Sequence, residues 1–341
     1  MQIRDDLGIT TKLENGKAYL EFALPEKIGR LLSALQIEIW EGAEGERLVF
    51  HGEYSSEEAD SMTALLLRPH LWDGMRDPYV YLVKAQGRFR SVEYGEKMGG
   101  MEKEEKLDPA EDITGEVEMY WRQELTIYDV RVVEKKGILL NEKEFLPHEV
   151  VYRLPPQISD AGTRVEQVRR DLERLVRMGV NAIRLEGTGS GAERQNCYEV
   201  RAFYRLCRRG GFLTGDLWIR PENLPVYRGL PGETTCQALL AADGRTLTER
   251  YYYYQAKWSS EPMLYPVLST LHRQENGLLS LTIYSNQKKV VLYVDGLLFL
   301  FQTAASGDPE FIFEDIPVEK LPLHLAVEAG NLSISLTVTK L

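Results

Sequence analysis

The sequence predicts a multidomain α+β protein: a small β-sandwich, a central α/β segment and a second small β-sandwich. Three observations carry this. Up to about Gly95 short runs alternate apolar and polar residues, the mark of strands buried on one face. The middle runs helix, glycine, apolar strand twice in succession, the grammar of a parallel sheet. After Met263 the alternation returns. With 341 residues the chain has room for two or three domains.

Composition narrows the classes. Hydrophobic residues are 43% and charged residues 27%, so the chain can bury cores and is globular. Lys plus Arg number 41 against 52 Asp plus Glu, a net charge of −11. An acidic surface repels phosphate backbones and anionic lipid, so nucleic acid and membrane are not the expected partners. The N-terminal MQIRDDLGIT has no apolar stretch of signal-peptide length, and a cytoplasmic protein is expected. Cys197, Cys207 and Cys236 lack metal-ligand spacing, so buried thiols rather than disulfides are expected, with no metal and no cofactor.

The first sandwich is assigned to residues 1–97, on runs such as Lys17–Leu24, Leu35–Trp40 and Tyr79–Ala85. Residues 98–119, with Gly99-Gly100 and the charge run EKEEK, read as a linker or insertion. The α/β domain is assigned to 120–260. It opens on a hairpin, Asp129–Phe145, that turns at Lys136-Gly137. A helix follows from Thr163, where T-x-x-E to Glu166 is a capping-box spacing. Val165, Val168, Leu172, Leu175 and Val176 form its apolar stripe, and Gly179 stops it. Val180–Glu186 is the next strand, Tyr198–Arg209 the second helix, Gly210-Gly211 its stop and Phe212–Ile219 the strand after that. Arg220–Leu240, with Pro221, Pro225 and Pro231, reads as loop, and Tyr251–Trp258 as an aromatic-rich helix or strand. Residues 261–341 form the second sandwich, with hairpin turns at Asp295-Gly296 and Gly330-Asn331.

Five stretches, in order, resemble glycoside hydrolase family 2, the β-galactosidase, β-glucuronidase and β-mannosidase family. LLRPHLWDGMRDPYVYLV (Leu66–Val83) is similar to the closing strands of its immunoglobulin-like domain, and GILLNEKEFL (Gly137–Leu146) to the entry hairpin of its catalytic barrel. Arg164–Glu186 and Phe203–Trp218 resemble helix-and-strand units of that barrel, and Asp243–Pro262 its closing helix and exit. The resemblance implies an immunoglobulin-like β-sandwich, a truncated TIM-like half barrel and a C-terminal immunoglobulin-like β-sandwich. It also implies a chain without the family's jelly-roll domain. The surviving barrel strands would be one, two and three beside a remnant of the eighth near Leu239–Ala242.

Retaining hydrolysis in that family needs two glutamates across the sugar ring, at the ends of the fourth and seventh strands. Ile219 to Arg250 is too short for four βα units at about 30 residues each, so both are expected to be missing and no catalytic residue is assigned. Asn141-Glu142 mimics the acid/base dipeptide but sits where relatives have an Asn-Gly turn. Glu233, in PGETT, is at most a relic of the nucleophile.

The substrate-binding candidates are His148, Glu149, Glu186, Asp216 and Trp218. His148-Glu149, placed after the first-strand segment, resembles the family's Arg-His-Glu, against an ordinary loop pair. Glu186 and Asp216 end adjacent predicted strands, close enough to share a sugar hydroxyl with Trp218 or Trp258 stacking on the ring. Against this, each is an ordinary solvated strand-end residue. Tyr251–Tyr254 are read as packing rather than ligand contacts. The expected function is a non-catalytic relative that binds carbohydrate or protein. A glycosidase with a site rebuilt here, or completed by another chain, competes with it, as does an interaction module using the open barrel edge. Val180, Ile183, Leu185, Phe212 and Leu213 would need cover in an open half barrel, from the Arg220–Cys236 loop, the flanking sandwiches, a homo-oligomer or a partner protein.

Overall fold

The computed structural model describes residues 7–92, 113–134, 136–154, 161–186, 197–214, 224–229, 238–305 and 307–340. The chain divides into two compact units, Met1–Leu146 and Pro147–Leu341.

The first unit contains β1 (Gly8–Glu14), β2 (Lys17–Ala23), α1 (Glu26–Gly29), β3 (Leu32–Glu41), β4 (Arg47–Ser55), β5 (Thr63–Leu67), β6 (Tyr81–Val92), β7 (Ile113–Leu125), β8 (Val130–Val133), β9 (Gly137–Leu140) and β10 (Lys143–Phe145). Sheets β1-β2-β5 and β4-β3-β6-β7 enclose one core. Alternation does this: in β2, Ala18, Leu20 and Phe22 are buried while the residues between them are exposed. Burying a side chain such as Leu20 contributes about 2 kcal/mol. The Leu66–Val83 phrase packs inward, with Trp72 and Tyr81 buried and the Tyr81 hydroxyl accepting the His70 N–H at 2.7 Å.

The boundary expected at residue 97 is displaced. Ile113–Leu125 runs antiparallel along β6, from Val92↔Ile113 to Tyr81↔Leu125, so the end of the expected linker, residues 113–119, is strand. Glu116, Glu118 and Arg122 on its outer face disguise it, whereas Trp121 and Leu125 enter the core. Residues 98–112 lie outside the described residues. The hairpin β9–β10 also belongs to this first unit, and Asn141 and Glu142 are its two turn residues, with φ of 50° and 66°. The Asn-Glu dipeptide is thus a turn, with Asn141 donating to the Trp72 carbonyl at 2.9 Å.

The second unit begins with β11 (Glu149–Arg153), α2 (Ala161–Met178), β12 (Ala182–Glu186), α3 (Cys197–Arg209), β13 (Leu213–Thr214), β14 (Val226–Arg228), β15 (Ala238–Leu240) and α4 (Glu249–Trp258). The five strands form one parallel sheet in the order β13-β12-β11-β14-β15. Both α2 and α3 close with the same cap. Gly179, at φ 87°, donates to Val176 and Val180 to Leu175; Gly211, at φ 79°, donates to Arg208 and Phe212 to Cys207. The start of α2 lies two residues before Thr163, so the capping-box spacing falls inside the helix.

The order eight, one, two, three is corrected. β15, around Leu239, is not beside β11, because Val226–Arg228 stands between them as β14. Three residues flanked by prolines and glycines are too few to show a period, which is why this strand reads as loop. Val180, Ile183, Phe212 and Leu213 are buried within the chain, with α2, α3 and α4 contributing to the same core. The aromatic run is the helix α4. Tyr251 donates to the Arg174 carbonyl at 2.9 Å, Tyr252 stacks on Tyr265 at 3.8 Å, and Tyr253 meets Tyr284 edge-on.

The unit continues with β16 (Leu264–Arg273), β17 (Leu279–Ser285), β18 (Lys289–Val294), β19 (Leu297–Thr303), β20 (Glu310–Ile316), β21 (Leu323–Ala329) and β22 (Leu332–Val338). Sheets β16-β17-β20 and β19-β18-β21-β22 share a core of Leu281, Ile283, Leu292, Phe311, Phe313 and Val327. Asp295-Gly296 turns β18 into β19 with φ of 45° and 80°. No described helix is long and apolar enough to cross a membrane.

Candidate functional site

Ligands of parallel α/β sheets meet the C-terminal ends of the strands, where the connecting loops converge. Here that rim is, in spatial order, Thr214, Glu186, Arg153, Arg228 and Leu240. Arg153 and Glu186 lie directly opposite each other in the β11–β12 register, and the Arg153 Nε donates to Glu186 Oε2. Arg153 also reaches the Arg228 carbonyl, Nη1 to O, at 3.4 Å. The Glu186 side chain is 47% exposed and that of Arg153 only 19%. A carboxylate is therefore fixed at the rim by a guanidinium set behind it, with part of its acceptor capacity facing solvent.

Period-2 alternation divides β11. Val150 and Tyr152 enter the helix-covered core, which sends Glu149, Val151 and Arg153 to the other face. That face is charged, because Arg184 of β12 donates to Glu149 at 3.0 Å, with side-chain exposures of 11% and 0%. In a closed barrel this face would line the interior, which side chains fill. Two ion pairs, Glu149–Arg184 and Arg153–Glu186, occupy it along the central two strands.

The expected site is not assembled as a group. β11 begins at Glu149, so His148-Glu149 opens the first strand instead of following it. Four residues separate Glu149 from Arg153, about 13 Å along a strand. His148 turns its ring to the Gly179 carbonyl, Nδ1 to O at 2.9 Å, and stacks on Trp258 at 5.2 Å, so both rings belong to the end away from Glu186. Burial pushes the His148 pKa down, partly offset by the Gly179 carbonyl. Asp216, Trp218 and Glu233 lie outside the described residues. No group of three or more His, Cys, Asp or Glu among the described residues could hold a metal ion.

The strongest polar cluster escapes the sequence reading. Asp171 of α2 is fully buried and accepts from Tyr152 at 2.9 Å, Tyr227 at 3.0 Å, Gln167 at 2.9 Å and Arg228 Nη2 at 2.8 Å. Burial, with Asp171 adding to it, raises the Tyr152 and Tyr227 hydroxyls far above the usual phenol range, so both remain donors. The cluster joins α2, β11 and β14 behind the rim and places Arg228. One signal announces it: Asp171 falls between Val168 and Leu175 on an otherwise apolar helical stripe.

No family model matches the chain, and no curated protein matches it. Solved structures do. An FMN-binding β-glucuronidase from Facaelibacterium prausnitzii L2-6 is similar with a TM-score of 0.61 and 14% identity, over 98% of this chain and 74% of that one. A β-glycosidase from Bacteroides vulgatus gives 0.63 and 12%, over 98% and 64%. A glycosyl hydrolase family 2 member from Bacteroides cellulosilyticus DSM 14838 gives 0.58 and 12%, over 98% and 63%. The chain spans less than two thirds of the length of the last two. Its fold is that of the glycoside hydrolase family 2 structures it matches.

Proposed function

We propose that this chain is a non-catalytic relative of the family 2 glycosidases, built as an immunoglobulin-like sandwich, a truncated half barrel and a second sandwich, and that it binds carbohydrate. One observation carries the loss of catalysis. Between the end of β13 at Thr214 and the start of α4 at Glu249 there are 34 residues, whereas four βα units take about 120. The fourth and seventh strands, whose ends carry the acid/base and the nucleophile in relatives, have no room there. Carbohydrate binding rests on the Arg153–Glu186 rim, where a carboxylate to accept from sugar hydroxyls and a guanidinium to donate stand side by side. Asp216 and Trp218 are proposed to extend that rim.

A second reading, a glycosidase with a rebuilt site, is favoured by one fact: Glu186 is a half-exposed carboxylate at the ligand end of the sheet. Purified protein is incubated with chromogenic β-glucuronide, β-galactoside and β-mannoside, and its melting temperature is read with glucuronate, galactose and mannose. Binding without catalysis requires no turnover and a saturable rise in melting temperature that Glu186→Gln removes. Turnover that Glu186→Gln abolishes establishes the enzyme instead.

A further inference from the structure

The last two sheets of the second unit end in four edge strands, and three of them are guarded. β16 carries Pro266, a register break, His272 and Arg273; β20 carries Glu310, Glu314 and Asp315; β22 turns Ser333, Ser335 and Thr337 outward. Charge, proline, irregularity and polar outward residues are the devices that keep edges from pairing. β19, the edge of β19-β18-β21-β22, carries neither charge nor proline, and its one irregularity is the bulge at Phe299 where its pairing with β18 shifts. Its sequence is LLFLFQT, and Leu297, Leu298, Leu300 and Phe301 are 75%, 60%, 42% and 52% exposed. Ile312 of the neighbouring edge β20, whose carbonyl accepts from the Gln302 side chain, is 51% exposed. One side of β19 is taken by β18 and the other is not paired to any strand among the described residues, leaving backbone donors and acceptors beside an apolar strip.

We infer that β19 is a dimerisation edge, and that its occupant is β19 of a second copy of this chain, paired antiparallel about a two-fold axis at Leu300. Three features select this occupant. An antiparallel pair centred on Leu300 sets Leu300 against its own copy and Phe299 against Phe301, so the apolar centre meets itself, while Leu298 and Leu297 lie opposite Gln302 and Thr303 at the two ends. The ends are charge-complementary: Asp295 lies at the start of β19, while Lys289 pairs with Thr303 at its end, with Lys288 beside it. Antiparallel pairing brings the acidic end of one copy to the basic end of the other. The area is of the right order. The five exposed apolar side chains present on the order of 500 Å², and the strand backbone with Gln302, Thr303 and Asp295 supplies much of the rest of the roughly 800 Å² per partner of a stable interface. This contact is separate from the rim, so it stands or falls apart from the proposed sugar binding.

Sedimentation of the full chain from 1 to 100 μM is the test, with Leu300→Lys and Leu300→Cys variants. Wild type sediments as a dimer, and Leu300→Lys, which brings two ammonium groups together on the axis, as a monomer whose melting temperature at low concentration matches wild type. Leu300→Cys forms a chain-to-chain disulfide under mild oxidation, whereas Leu268→Cys, also exposed but on β16, does not. A monomeric wild type at 100 μM overturns the inference, and so does a dimer that Leu300→Lys leaves intact.

Discussion

Asp171 and Arg228 lie 2.8 Å apart with neither side chain open to water, and they join the first long helix of the second unit to a three-residue strand. β14 offers few backbone hydrogen bonds of its own, and its register with β11 is given by the single pair Val151↔Val226. Its place beside β11 thus depends on Tyr227 and Arg228 reaching the same carboxylate. Asp171→Ala removes the acceptor from four donors and leaves a buried guanidinium without its carboxylate, a change that costs about 3–5 kcal/mol. The expected result is a large fall in the urea midpoint of the second unit. Pairing Asp171→Leu with Arg228→Met, which removes both charges, recovers a substantial part of it. If the double variant is no better than Asp171→Ala, the charge pair is not what holds the strand.

Gly179 is required twice. It adopts φ 87°, and a Cβ built there would stand 2.4 Å from the Trp258 carbonyl oxygen, so the end of α2 and the end of α4 meet on backbone. Gly137 shares the left-handed conformation at φ 76° but would place its Cβ in open space. The comparison isolates the contact. Gly137→Ala is expected to cost about 1 kcal/mol from backbone conformation alone. Gly179→Ala carries that cost plus backbone displacement and is expected to lose 3 kcal/mol or more, in the range of the severe single substitutions. Equal losses in chemical denaturation would show that the approach of Trp258 is not tight.

α2 was legible because two signals coincide, an apolar stripe at helical spacing and a glycine where the left-handed cap is needed, Gly179; for α3 the glycine stop that includes Gly211 marks the end in the same way. β14 was not, since Val226, Tyr227 and Arg228 are positioned by partners distant in sequence. β7 was hidden by its outward charges. At the site, Glu186 could be read as a strand end, but its partner Arg153 could not, because only the register of two parallel strands brings them together. His148-Glu149 misled for the same reason: the start and the end of a five-residue strand look alike until its neighbours define which is which.

Cys207 is fully buried on α3, and burial pushes its thiol well above the ordinary cysteine range. The thiolate is the reactive species, so alkylation requires opening of the helix from its core. Iodoacetamide under native conditions followed by peptide mass spectrometry is expected to leave Cys207 unmodified for hours and to label it at once in denaturant. Rapid native labelling would mean that α3 opens locally at small cost.

The His148 ring links acid to the stability of the second unit. Its neutral form stacks on Trp258 and donates from Nδ1 to the Gly179 carbonyl, while burial disfavours the charged form more than that carbonyl favours it. The folded pKa therefore lies below the unfolded value of about 6.5. Below that value the unfolded chain takes up a proton that the folded chain resists, so stability rises with pH across this window and is lost as pH falls. The loss levels off once the pH is below the folded pKa as well. Urea midpoints measured from pH 7.5 to 5 should fall for wild type and fall less for His148→Gln, which keeps an amide donor near the Gly179 carbonyl without a titrating ring. Parallel pH profiles for the two proteins would assign the acid sensitivity to other groups, and a steeper profile for His148→Gln would reverse the sign argued here.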